Sequence, residues 1–298
     1  MKLLQIFDPK RGYCAGRLEG DKVYPVYYEE KRLRTVLDLV EYATALDMEL
    51  SEVVDELTAA GPSLGEVNVA PDRAKSHLAI PIHPPEVWAC GVTYKKSAEF
   101  RDEDTQTSKG IYDYVYFAER PELFFKATAS RCTGPNDFIG LRSDATFTAV
   151  EPELAVVVDS RKNVLGYMVA NDVSAWDIER ENPLYLPQSK VFRGCCALGP
   201  VLVTADEIKD PYALTIRCEI KRANRILFSG ETTLGMMKRK IEKLIDFLFL
   251  ANTIPTGTVL LTGTGIIQTE EAALQENDVV EITVPEIGKL VNIAKRVS

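Results

Sequence analysis

The chain has 298 residues, 46% of them hydrophobic and 27% charged, with a formal net charge of −9. That balance fits a globular fold of one or two domains and excludes a disordered, collagen-like or coiled-coil protein. No apolar run approaches the roughly 18–20 residues of a membrane span, and the acidic surplus argues against nucleic acid, whose phosphates call for a basic face.

In chain order, the opening Met1-Lys2-Leu3-Leu4-Gln5-Ile6-Phe7-Asp8 reaches Asp8 only five uncharged residues after Lys2 and shows no small-residue cleavage site. It does not read as a signal peptide, so a cytoplasmic protein is expected. Short strands are expected over 2–6, 13–18 and 22–28, followed by an amphipathic helix from Leu33 to Leu46. Together these predict a small N-terminal α+β domain over residues 1–75. Turn signals at Gly61-Pro62, Pro71-Asp72, Pro81 and Pro84-Pro85 mark a linker between about 60 and 86. A larger domain is expected over 84–298. Its strand candidates are 154–158, 164–170, 201–204, 214–220, 259–262 and 279–284, an α+β arrangement that is mostly β. A helix over 236–250 places Met237, Ile241, Leu244, Ile245 and Leu248 on one face, with Lys238, Arg239, Lys240 and Lys243 opposite as a solvated basic face. The charge-dense stretch within 95–120 packs poorly as core and is a candidate lid.

The six cysteines show no CxxC spacing and read as free thiols. The chain has two histidines, His77 and His83, both in the linker region. A histidine-rich metal site is therefore impossible, and any bound metal must sit on carboxylates. Glu151 and Glu153 offer such a pair. Alternate strand residues leave the same face about 7 Å apart along the strand, and Pro152 between them is tolerated at a strand start. A second β run ends in Asn171-Asp172. If the two strands lie side by side, Asp172 supplies a third oxygen ligand, and Lys190 offsets the surplus of anions. Gly263 and Gly265 form a GxG, but no helix with an acidic residue follows, which argues against a dinucleotide site.

These motifs, taken together, resemble the fumarylacetoacetate hydrolase superfamily. They are Glu151-x-Glu153, the run Gly166-Tyr167-x-x-x-Asn171-Asp172-x-Ser174-Ala175-x-Asp177, Lys190 ahead of Leu198-Gly199-Pro200, Leu261-Thr262-Gly263-Thr264 and Asn277-Asp278-Val279-Val280. The resemblance implies a mixed β-sandwich or β-roll over about 84–298, a Mg²⁺ or Mn²⁺ site, and a 2-oxo acid substrate. It also implies Glu151, Glu153 and Asp172 as metal ligands and Lys190 as a charged catalytic residue. Three further stretches, 84–88, 120–128 and 181–190, look like the branch of the superfamily that dehydrates 2-keto-3-deoxy sugar acids. Members of that branch convert 2-keto-3-deoxy-D-arabinonate to 2,5-dioxopentanoate and water in oxidative pentose degradation.

By the same resemblance, Glu122 joins Lys190 in proton transfer, while Tyr94, Lys126, Glu179 and Thr264 contact the substrate. The desolvated setting of Glu122 before Leu123-Phe124-Phe125 can raise its carboxyl pKa. Hydrolases of the superfamily carry a water-activating histidine where this chain has Ser97, and a serine cannot act as general base near pH 7. Elimination is therefore favoured over an acylpyruvate-type hydrolase or oxaloacetate-type decarboxylase on the same site. A non-catalytic binding protein on this scaffold is the rival of another class. Most relatives have arginine where Trp176 stands, so a fixed cation near the site is missing at that position. Relatives form dimers or tetramers, which makes a homo-oligomer the expectation.

Overall fold

The computed structural model describes residues 1–26, 33–54, 61–105 and 109–298. The end of the third predicted strand (27–28), the first linker residue (60) and part of the predicted lid (106–108) lie outside them. Strands β1 (Lys2–Asp8), β2 (Gly12–Glu19) and β3 (Lys22–Val26) form a meander, followed by helix α1 (Val36–Leu46). Thr35 caps α1: its hydroxyl accepts from the Asp38 amide, and the Asp38 side chain accepts from the Thr35 amide in return.

Strand β4 (Val87–Gly91) leads into helices α2 (Lys95–Asp104) and α3 (Ile111–Phe117), then β5 (Glu122–Ala127) and β6 (Phe138–Arg142). Next come β7 (Pro152–Val158), β8 (Val164–Asp172), the short helices α4 (Trp176–Glu181) and α5 (Leu186–Lys190), and β9 (Cys196–Thr204). The chain ends with β10 (Thr215–Arg222), β11 (Arg225–Thr233), α6 (Ile241–Phe249), β12 (Thr258–Leu261), β13 (Val279–Val284) and β14 (Gly288–Val297).

The large sheet runs β3-β2-β1-β9-β8-β7-β12-β4-β5, and a five-stranded sheet runs β11-β10-β13-β14-β6. Most neighbours are antiparallel, but β12 with β4 and β14 with β6 are parallel, the mixed, mostly β arrangement expected. The two sheets meet through β7, β8 and β9 against β10, β13 and β14. Between them lies a dry core that includes Leu154, Met168, Leu198, Ile216, Ile220, Ile282 and Leu290. Every residue of β7 is buried, as a strand covered on both faces requires.

Two features add to or differ from expectation. The sequence assigned no partner to the N-terminal strands, and the structure gives one: β1 pairs with β9 through Lys2–Val203 and Leu3–Leu202, extending the large sheet. The predicted helix over 236–250 begins only at Ile241, because the backbone at Met237 and Lys240 is extended. Arg239 accordingly leaves the basic face. It is buried and donates to the carbonyls of Val115, Tyr116 and Ala118 at the end of α3. Lys238, Lys240 and Lys243 stay outside, stacked over aromatic rings. The histidines are structural. His77 pairs with Phe7 in a short strand, and His83 shares a 2.8 Å hydrogen bond with Gln5.

Candidate metal centre and active site

One end of the large sheet gathers the chemistry. Glu151 and Glu153 stand at the start of β7, and Asp172 ends the antiparallel β8, where Pro152 faces Asn171 and Glu153 faces Ala170. The Asp172 amide donates to the Glu151 carbonyl at 2.9 Å, locking the two strand ends together. The carboxylates of Glu151, Glu153 and Asp172 each offer an oxygen within 4.8 Å of the others, and all three residues are buried. The predicted triad is thus assembled.

Each acid is oriented by a donor. Oε1 of Glu151 accepts from Ser174 Oγ (2.9 Å), Lys190 Nζ (2.9 Å) and Arg101 Nη2 (3.0 Å). Three donors thus converge on that one oxygen. Glu153 accepts the Gly263 amide at 2.5 Å. The φ of Gly263 is +91°, and a Cβ there would collide with Thr93 Oγ1, so only glycine lets this amide point at the carboxylate. Asp172 pairs with Lys126 at 2.5 Å and with Lys190 at 3.4 Å. Lys126 has no solvent exposure, and its ammonium also donates to the Val173 carbonyl at 2.8 Å.

With every carboxyl ionised, the cluster carries more negative than positive charge, to be balanced by bound protons or by a further cation. Glu122, Glu151, Glu153, Asp172 and Glu179 surround Arg101, Lys126 and Lys190, leaving two negative charges in surplus. Burial, then Asp172 and Glu151, push the Glu153 carboxyl well above the usual carboxylate range. Burial would also raise Glu151, but Lys190 and Arg101 outweigh it and hold that carboxyl down at about 2. A hard divalent cation fits this donor set: carboxylate oxygens only, and a charge of two to neutralise.

Lys190 ends α5 with its ammonium 2.6 Å from Ser174 Oγ and 3.7 Å from Glu179. Burial disfavours its charge, yet Asp172, Glu151 and Glu179 outweigh burial and keep it protonated well above its ordinary range. Glu122 is half-buried at the start of β5, directly across from Gly91. Burial first, then the Glu179 charge, lift its carboxyl to about 7. Its carboxylate lies flat over Gly91, where an added Cβ would stand 2.0 Å from Oε2. Gly91→Ala should therefore displace Glu122. We expect turnover to fall about 10²-fold, as a shift of about 1 Å in a reacting group can cost, with an unchanged circular dichroism spectrum.

The remaining predicted residues are placed as follows. Glu179, on α4, is buried beside Lys190 and Arg101. Tyr94 is buried, and its hydroxyl has no hydrogen-bond partner among the described residues. Thr264 is buried near Glu151, but its hydroxyl serves its own turn by accepting from the Ile266 amide at 3.2 Å. Ser97 is buried on α2 and its hydroxyl accepts from Arg101, which in turn reaches Glu151.

The sequence reading missed Arg101, Ser174 and Tyr112. Arg101 projects from α2 onto Glu151 and Glu179. Its guanidinium lies over the Trp176 ring at 5.3 Å, so the cation absent at position 176 arrives from another element. The available signal was Ser97 and Arg101 at i, i+4, one face of an otherwise charged helix. Tyr112, on α3, is buried, and its hydroxyl, in the field of Glu179 and Arg101, has no hydrogen-bond partner among the described residues.

The fold and this site define a family. The model for the fumarylacetoacetate (FAA) hydrolase C-terminal domain matches residues 87–295, and the chain belongs to that family. It is 50% identical over 219 residues to the 2-dehydro-3-deoxy-D-arabinonate dehydratase of Saccharolobus solfataricus, covering 72% of this chain and 74% of that one. It is 39% identical over 269 residues to a "Probable 2-keto-3-deoxyxylonate dehydratase" of Haloferax volcanii, covering 90% and 91%. Among solved structures, a 2-keto-3-deoxy-D-arabinonate dehydratase complexed with magnesium and 2,5-dioxopentanoate matches with a TM-score of 0.81 and 38% identity, over 100% of this chain and 99% of that one.

Proposed function

We propose that this chain is a Mg²⁺-dependent hydro-lyase, with Mn²⁺ able to substitute, that converts a 2-keto-3-deoxypentonate such as 2-dehydro-3-deoxy-D-arabinonate to 2,5-dioxopentanoate. The observation that carries the reading is the buried triad Glu151, Glu153 and Asp172 flanked by Lys190 and Glu122, with Ser97 where a water-activating histidine would stand. The relatives' names and the bound product in the neighbouring structure support it.

A divalent cation held by the triad would supply a Lewis acid for the 2-oxo group of the substrate, acidifying its C3 protons. The chain's own residues move the protons. Glu122, near 7, is poised to take the C3 proton and return one. Lys190 stays charged, so it acts as donor and not as base, steadying the developing enolate and the departing C4 hydroxyl. Loss of the C3 proton and of C4 hydroxide, which leaves as water, gives an unsaturated 2-oxo acid. Moving a C5 proton to C3 gives the enol of the terminal aldehyde, and protonation at C4 with loss of the C5 hydroxyl proton completes the product. Tyr94 and Tyr112 offer unpartnered hydroxyls to the hydroxyl-rich end of the substrate. Lys126 fixes Asp172, and Glu179 sets Lys190. Thr264 closes the wall beside Glu151.

Because the raised carboxyl must be ionised to act as base, kcat/KM should rise with pH on a limb centred at or below about 7, the bound cation drawing it down. Glu122→Gln should remove the limb and cost about 10²–10⁴-fold in rate; a retained limb would reassign the base. For the reaction itself, protein with Mg²⁺ and 2-keto-3-deoxypentonate should yield 2,5-dioxopentanoate. No such product, together with pyruvate released from an acylpyruvate, would replace the reading with hydrolysis.

The proposal includes a cytoplasmic homodimer or homotetramer. All six cysteines are free thiols, which suits a reducing compartment. Exposed apolar side chains such as Leu184, Tyr114, Met236 and Ile226 are surfaces a second copy can cover. No helix among the described residues is long and apolar enough to cross a membrane.

A further inference from the structure

The two helices over the site, α2 and α3, meet the body through ion pairs and hydrogen bonds and through Phe100, which packs against Trp176. Their shared apolar cluster is small, formed by Val92, Ala98 and Tyr112 with Val115 and Tyr116, and it is separate from the main core. Asp102 ties the pair together by accepting from the amides of Gly110, Tyr112 and Asp113. The floor of the site holds α2 through Arg101 on Glu151 and Glu179, and through Asp104, which accepts the Trp176 indole N–H at 2.6 Å. The space left between Phe100, Arg101, Trp176, Ile266 and Glu151 is about 20 Å³. That is room for about one water, so α2 seats closely against this side of Glu151.

We propose that Arg101 is a positioning residue that acts as a tethered counter-ion, so that divalent-cation binding at the triad and closure of α2 oppose each other. The inference rests on the proposed cation site. With the triad empty, Arg101 pairs with Glu151 and Glu179, which it shares with Lys190, and the attraction draws α2 shut. A divalent cation beside Glu151 cancels most of that field, and Arg101 and the cation then compete for the same negative charge. Loading the cation loosens α2 and opens the site. A substrate carboxylate arriving next restores negative charge beneath Arg101, and α2 closes over it. Trp176 serves as the seat, since it touches both Arg101 and Asp104.

Linkage makes the effect reciprocal: whatever the cation takes from closure, closure takes from cation affinity, with couplings of this kind typically about 5–150-fold. Calorimetric titration of the full chain with MgCl₂ tests it. Arg101→Met should bind Mg²⁺ at least about fivefold more tightly than the native chain, while Arg101→Lys, which keeps the charge, should stay near the native affinity. A purely structural role predicts the reverse, because misoriented carboxylates bind the ion more weakly. Amide exchange of the native chain gives a second measure that needs no variant: residues 95–104 should exchange faster with saturating Mg²⁺ than without. Unchanged or weaker binding by Arg101→Met, or exchange that slows or does not respond, overturns the inference and leaves the proposed reaction standing. Absence of Mg²⁺ binding by the native chain overturns both.

Discussion

Lys190→Met should lower turnover by at least about 10³-fold and destabilise the fold by about 3 kcal/mol, near the lower end of the range for breaking a buried ion pair. Lys190 is the donor that reaches Ser174, Glu151, Asp172 and Glu179 together. Its loss leaves these acids with Arg101 and Lys126 alone. Those two cations explain why the cost is not larger: Glu151 keeps the Arg101 contact and Asp172 keeps Lys126. Urea unfolding should show a lower midpoint with an unchanged slope, and turnover should not recover at any pH, because Arg101 and Lys126 are each already engaged by carboxylates of the site. Appreciable activity in Lys190→Met would move the donor role to Lys126.

The carboxylate triad was legible because its rule is local. Period-two alternation put Glu151 and Glu153 on one face, and a strand ending in Asn171-Asp172 needed only to lie alongside, which β8 does. Lys190 and Glu122 came from resemblance, and the structure adds what resemblance could not: one is held charged and the other is lifted to about 7. What escaped was long-range. Nothing in Lys2–Asp8 says that its partner is β9, about two hundred residues away. Arg101 escaped for a different reason. Helix α2 is almost wholly polar and its buried positions are Ser97, Ala98 and Arg101, so hydrophobic periodicity, the signal that sorts inside from outside, gave no hint that its inner face is ionic. Arg239 was misplaced likewise. Its charge suggested solvent, while the carbonyls at the end of α3 make burial favourable.

Glu153→Gln should abolish cation-dependent activity while making the cation-free protein more stable at neutral pH, by roughly 1–2 kcal/mol, the usual gain when a strained functional group is relieved. Glu153 is 1% exposed and sits against Asp172 and Glu151, so its charge is opposed by burial and by both neighbours. A glutamine keeps the shape. Its carbonyl can still accept the Gly263 amide, and its NH₂ can donate to an oxygen that would otherwise repel it. The same exchange removes one of three anionic ligands. In the native chain, Mg²⁺ at about 100 times its dissociation constant should add about 2.7 kcal/mol. For a chain of this size that amounts to roughly 5 °C in unfolding midpoint. Glu153→Gln should start higher without Mg²⁺ and gain almost nothing from it, and chelation should leave its midpoint unchanged. Thermal unfolding of both chains with Mg²⁺ and with chelator therefore separates the two contributions of this carboxylate. A variant that is less stable without the cation would mean that Glu153 is held by contacts stronger than the repulsion described, and a variant that still gains several degrees from Mg²⁺ would take Glu153 out of the ligand set.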